Sequence, residues 1–149
     1  MAEWSIIPPS TSENWKSYYD LRYTMLRKPW GFEPGSELAE DDDVSIHGMI
    51  INKAGEALAV GRIHKTAPEQ AQVRFMAVKE NMQRMGLGKS MLHYLEMRAK
   101  REYPDLVQIL LHARENAVEF YEEQDYQVID KSYLLFGSIQ HYLMVKSLI

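Results

Sequence analysis

"QRMGLGKS", residues 83–90, sets two glycines around a leucine, with an arginine before them and Lys-Ser after. The run resembles a phosphate-binding loop, and the question is which kind. A P-loop needs a first glycine at the place where Gln83 stands, and without it the backbone cannot wrap a β-phosphate in the same way. The dinucleotide fingerprint needs a third glycine where Met91 stands. A third reading fits better. A turn that opens a helix at glycine exposes backbone N–H groups at the positive end of the helix dipole, where a pyrophosphate is favoured. Gly86 and Gly88 let phosphates approach the backbone, and Arg84 and Lys89 add charge. On the glycines alone, a plain strand–helix turn is the favoured reading, because so short a pattern is weak.

Outward from this loop the pattern is that of one mixed α/β domain, residues 1–149. "WSIIP" reads as a first strand, and Ser10 with Glu13 has capping-box spacing for a helix over "ENWKSYYDLRYTMLRK" that Pro29 ends. "PWGFEPGSELAEDDD" reads as an irregular loop. "VSIHGMIIN" and "ALAVGRIHK", joined by "KAGE", read as a hairpin. "AQVRFMAVK" alternates Val73, Phe75 and Ala77 against Arg74, Met76 and Val78. Leu87, Met91, Leu92, Leu95 and Ala99 lie at helical spacing behind the glycines, and "LVQILL" reads as a buried central strand. Asn116, with Glu119 three residues on, is placed to cap a short helix, and two or three strands finish the chain. The expected architecture is a mixed sheet with helices on both faces.

Composition narrows the class. Apolar residues make up 46% and charged residues 26%, as in ordinary globular proteins. There is no apolar run of the ~18 residues a membrane span needs, so no membrane partner is expected. The start of the chain lacks a secretory pattern and cysteine is absent, which fits a cytoplasmic protein. A net charge of −4 gives no reason to expect nucleic acid. The five histidines show no local ligand spacing, so no metal is expected.

Two stretches together, "FMAVKENMQRMGLGKSMLHYLEMRAK" and "LLHARENAVEFYEEQDYQV", resemble the GNAT superfamily of acetyl-CoA-dependent N-acetyltransferases. The first carries a Q/R-x-x-G-x-G/A loop at Gln83, Gly86 and Gly88. The second carries Asn116 and the Phe120-Tyr121 pair ahead of a turn where Asp125 replaces the family's usual glycine; Asp tolerates a left-handed backbone better than most residues. A weaker likeness to the ElaA-like branch rests on Arg27, Glu40, Asp43, His47 and "GSIQHYLM". The resemblance implies about seven strands, splayed between two central parallel ones.

It also implies roles. Met76, Ala77 and Val78 would pair with the pantetheine arm as an added strand, and the Val78 N–H would face the thioester carbonyl. Gln83, Arg84, Met85, Gly86, Leu87, Gly88, Lys89 and Ser90 would hold the pyrophosphate, with Asn116, Phe120 and Tyr121 also touching coenzyme A. Tyr121 would meet the departing thiolate as an acid or hydrogen-bond donor. The acceptor would be a primary amine, on a small molecule or a protein, attacking in a ternary complex. A homodimer is common in the superfamily, though the sequence does not display one.

The base that frees this amine is open among Glu37, Glu40, Asp43, His47, His64 and His141. Trp30, Asp43, His64 and His141 are candidates for the acceptor site; Phe32 and Trp4 are aromatic alternatives to Trp30. The acids at 40–43 either attract a cationic acceptor or form a solvated loop. A competing function is an acyl-CoA sensor of the same fold without turnover.

Overall fold

A computed structural model describes residues 3–149. Its seven strands are β1 (Trp4–Ile7), β2 (Ile46–Asn52), β3 (Ala57–Ala67), β4 (Gln70–Val78), β5 (Gln108–Arg114), β6 (Gln127–Leu135) and β7 (Ile139–Ser147). They form one sheet in the order β1-β2-β3-β4-β5-β7-β6. Helix α1 (Ser12–Leu26) packs on one face, and α2 (Leu87–Glu102) and α3 (Val118–Glu123) on the other. The expected mixed sheet, strand number and two-faced covering are therefore present.

The helix caps differ from expectation. Thr11, not Ser10, caps α1; its hydroxyl accepts from the Asn14 N–H at 3.0 Å, and Asn14 Oδ1 answers the Thr11 N–H. Asn and Glu are interchangeable at the third position of such a box only in their acceptor oxygen, which is why Glu13 drew the wrong register. Asn116 does not cap α3 either. It lies in a 3-10 turn (Glu115–Ala117), and Ala117 precedes the helix without a side-chain bond. Asp125 does take the left-handed conformation, φ +73.

Two irregularities in the sheet shape everything near the glycine loop. Among the described residues the ladder between β4 and β5 is the only parallel one, and it holds for three pairs, Gln70↔Gln108, Ala71↔Ile109 and Gln72↔Leu110. Beyond them both strands continue, unpaired with each other. The second irregularity is a bulge. Arg62 pairs with Arg74 and Val60 with Ala77, so Gly61 alone opposes both Phe75 and Met76, and Phe75 sits at φ +55. The simple alternation expected across 73–78 is thus broken. Val73 packs on the α2 side and Ala77 on the α1 side, although they are four residues apart. Gly61 is required there: a Cβ would come within 2.7 Å of Met76 Sδ.

The acidic run, expected in solvent or at an acceptor, divides: Glu40 and Asp43 are exposed, while Asp41 and Asp42 turn inward. Asp42 is buried and receives Arg22 Nη1 at 2.9 Å, Arg62 Nη1 at 2.8 Å, the Tyr19 hydroxyl at 3.0 Å and the Ala39 N–H at 3.1 Å. Asp41 takes a second bond from Arg62 at 2.6 Å. Both arginines are fully buried, so these carboxylates are their internal counter-ions, and they pin the 28–45 loop to α1 and β3. On the other face, Glu96 of α2 accepts from the Tyr126 hydroxyl at 2.8 Å and from Lys146 of β7 at 3.0 Å.

The bond from Arg62 holds the Asp41 carboxyl down at about 2, and the guanidinium groups outweigh burial to keep Asp42 below its ordinary 3.8. Folded values below unfolded ones mean stability that is complete above pH ~4 and is lost as pH falls toward 2. Asp42→Ala removes the carboxylate of buried Arg22 and leaves Arg62 with Asp41 alone, and should cost about 3–5 kcal/mol in urea unfolding at pH 7. The deficit should shrink as pH falls well below Asp42's ordinary 3.8 and the wild type loses the same interaction.

Candidate active site

The gap between β4 and β5 is the centre of the site. In an antiparallel ladder, successive residues turn their backbone groups alternately toward and away from the partner strand. The Lys79 N–H bonds the Leu58 carbonyl at 2.8 Å, so Val78, one residue earlier, turns its N–H and C=O away from β3 and toward the gap. Gln83 Nε2 donates to the Val78 carbonyl at 3.2 Å. Gln83 thus ties the glycine loop to the end of β4.

The loop itself has the geometry its glycines suggest. Gly86 stands at φ +84 as the residue before α2, and no side chain caps this helix. Ser90 N–H makes the first helical bond, to the Gly86 carbonyl at 3.1 Å. The N–H groups of Leu87, Gly88 and Lys89 have no partner among the described residues. Arg84 also adopts a positive φ, +67. A Cβ on Gly88 would lie 3.4 Å from the Phe120 ring and 3.7 Å from a Val78 methyl, so β4, α2 and α3 converge here.

On the far side of the gap lies a cleft of about 170 Å³. Tyr121 of α3 lines it, 8% exposed, its ring edge-on to Phe120 and Tyr126. Among the described residues its hydroxyl forms no hydrogen bond, and burial pushes its pKa up to about 12, with Arg114 pulling the other way. The phenol is therefore neutral throughout the working pH range. Met76 lines the same cleft; Asn116 is exposed outside it.

The register of the ladders decides which other side chains meet. Arg74 pairs with Arg62, on the face of α1, and Arg114 pairs with His141 across β5 and β7. Arg74, His112, Arg114, Tyr133 and His141 all line the cleft, with Arg27 from the end of α1. His141 is 4% exposed and stacks on Tyr133 at 4.6 Å. Its Nδ1 lies 3.0 Å from the Ile139 carbonyl, which can only accept, so Nδ1 carries the proton and Nε2 keeps its lone pair. Burial, with the charge of Arg114, holds this histidine below its ordinary 6.5 against the pull of the Ile139 bond.

The other candidates for the acceptor site and for the base are not in the cleft lining. His64 lies between Arg62 and Asp41, its Nδ1 3.2 Å from Arg62 and its Nε2 3.3 Å from Asp41. His47 is buried with both nitrogens engaged, by the Tyr18 hydroxyl at 2.6 Å and the Asp42 carbonyl at 2.7 Å. Glu37 accepts from the Gly35 N–H at 2.8 Å, while Glu40 and Asp43 face solvent. Trp30 and Phe32 gather around Phe136, 5.9 and 4.4 Å away, beside Arg27, and form a rim rather than a lining. Trp4 is on the edge strand at the opposite side of the sheet.

Sequence reasoning missed Arg74, His112, Arg114 and Tyr133 as cleft residues. The available signal was polar residues at alternate positions in strands otherwise apolar, which have no reason to sit on a covered face unless a cavity lies beneath them. Among the described residues no His/Cys/Asp/Glu group is arranged to hold a metal ion, and no helix is long and apolar enough to cross a membrane.

Comparison with solved structures gives the same architecture. An N-acetyltransferase candidate from Lactobacillus plantarum is 19% identical, covers 99% of this chain and 100% of its own, and superposes with a TM-score of 0.84. Escherichia coli ElaA is 18% identical, with 98% and 99% covered and a TM-score of 0.76. A GNAT family acetyltransferase from Elizabethkingia anophelis, solved with acetyl-CoA bound, is 12% identical, with 99% and 100% covered and a TM-score of 0.72. At these identities the likeness is one of fold. The family model for the acetyltransferase (GNAT) domain matches residues 35–148. With the glycine loop, the splayed strands and that match spanning most of its length, the chain belongs to the GNAT acetyltransferase family.

Proposed function

We propose that the protein is an N-acetyltransferase that moves an acetyl group from acetyl-CoA to a primary amine within a ternary complex. One observation carries the reading. The interrupted β4–β5 ladder opens a passage with uncapped helix amides at one end, a free Val78 N–H in the middle and Tyr121 beside it. Acetyl-CoA would supply the acetyl group as an activated thioester.

The chain's own groups fit that substrate. The amides of residues 87–89, with Arg84 and Lys89, suit a pyrophosphate. The edge of β4 past Gln72 offers backbone groups to the pantetheine amides. The Val78 N–H is turned to donate where negative charge grows on the carbonyl oxygen. Tyr121, at about 12, is a weaker acid than a thiol near 8.5, so it serves as a hydrogen-bond donor to the leaving sulfur rather than surrendering its proton. The unprotonated Nε2 of His141 is placed to take a proton from the amine, with His112 the second histidine in the cleft.

Calorimetry with acetyl-CoA and a thiol-release assay over an amine panel test the assignment. Binding with no release for any amine would favour a sensor over an enzyme. Gly86→Asp should weaken acetyl-CoA binding by roughly 100-fold, whereas Gly86→Asn, which fits the same left-handed backbone without charge, should lose far less. Equal losses would mean strain and not phosphate repulsion. Tyr121→Phe should lower kcat by roughly 10-fold with little change in the Kd for acetyl-CoA. The rate should fall as pH drops through the depressed His141 pKa, below 6.5, because protonation removes the lone pair; burial and the charge of Arg114 set this value against the Ile139 bond. His141→Gln should lower kcat by about 100-fold and abolish that acid limb; an unchanged profile would assign the base elsewhere.

A further inference from the structure

The geometry points to an acceptor amine that itself carries an anionic group, a carboxylate or a phosphate, held by Arg74 and Arg114 at the mouth of the cleft. The inference rests on the transferase reading and names the class of its second substrate.

Charge in the cleft is one-sided. Its lining includes Arg27, Arg74, Arg114, His112 and His141, and no aspartate or glutamate. The carboxylates nearest in the fold, Asp41 and Asp42, are committed to Arg62 and Arg22. Among the described residues neither Arg74 nor Arg114 forms an ion pair or a side-chain hydrogen bond. Arg27 bonds only to carbonyls, of Ser36 and Leu26.

The positive groups are also held close together. The Phe75 ring, thrown out by the bulge, has Arg22, Arg74, Arg62 and Arg27 at 4.2, 4.5, 5.1 and 5.6 Å from its centre. A π-face can gather cations that would otherwise repel. Even so, burial and the charges of Arg74, Arg114 and Arg22 keep the Arg27 pKa below the usual arginine range. A lone ammonium entering such a cleft meets repulsion. An amine with an anion at its other end neutralises the arginines and presents its nitrogen to His141. Coenzyme A does not account for these residues, because its phosphates belong at Gly86, beyond the end of β4, and Arg74 lies upstream of Val78 on the acceptor face.

The test uses matched pairs that differ in one group: tyrosine against tyramine, and phosphoethanolamine against ethanolamine. Binding is read by calorimetry with and without coenzyme A, and kcat/KM by thiol release. In at least one pair the anionic member should bind at least 10-fold more tightly, and the pair with the larger ratio identifies carboxylate or phosphate as the source. Arg74→Gln and Arg114→Gln should each reduce the preference by about 10-fold, with Tm and the Kd for acetyl-CoA unchanged. Polyamines should be poor acceptors. Anionic members that bind no better than their partners in both pairs, or a double variant that keeps the preference, overturns the inference. A protein that selects the anionic amine but does not bind acetyl-CoA would instead overturn the transferase reading. One that binds acetyl-CoA and favours neutral or polycationic amines would overturn the acceptor class alone.

Discussion

The fold turns on a ladder that stops. Three parallel pairs join β4 to β5, clasped at their closed end by a 2.7 Å bond between Gln108 and Gln70. Past Gln72 the two central strands part, and their facing backbone groups are left unsatisfied by each other. A sheet interrupted in its middle carries an unfavourable set of open donors and acceptors unless something fills the gap. The closed end fixes the wedge angle, and the helices on the two faces keep the wedge from collapsing. Substrate-like backbone pairing is thereby made available in the centre of the molecule rather than at its rim.

Electrostatics divides the face under α1 into two zones. Inside, Asp41 and Asp42 neutralise Arg22 and Arg62, and the hydroxyl groups of Tyr18 and Tyr19 join the same network. This zone anchors the 28–45 loop. Outside, toward β5 and β7, Arg74 and Arg114 form no ion pair among the described residues. The inward carboxylates of the acidic run are thus committed chiefly to Arg22 and Arg62, with only the field of Asp41 extending to Arg74. The buried pairs cost desolvation, which bonds from Tyr19 and the Ala39 N–H offset.

Much of the frame was legible because it is periodic. The β2–β3 hairpin, the amphipathic α2 and the glycine loop each leave a local signature, and the separation of the loop from Phe120-Tyr121 pointed to the family. What was not legible depends on pairings between distant residues. Nothing in "QVRFMAV" announces that Gly61 will oppose two residues, since a bulge is a relation between strands. Nothing in "EDDD" distinguishes a solvated run from a set of counter-ions until Arg22 and Arg62 are brought to it. His47, His64 and His141 were equal as letters and were separated only by what their ring nitrogens touch. The misplaced caps at Ser10 and Asn116 arose for the opposite reason, since capping signatures are short enough to match in more than one register.

The two-against-one step at Gly61 also acts like a reading frame. Upstream of it on β4, odd-numbered side chains point toward α2; downstream, odd-numbered ones point toward α1. Loss of one residue between Arg74 and Met76 would let the ladder run straight, and the strand could then keep only one half in phase. Either the guanidinium of Arg74 would be driven into the apolar layer, or Val78 would rotate its amide back against β3. An insertion or deletion at this point is therefore a change of phase for half a strand, and this stretch should tolerate exchange of letters far better than change of length.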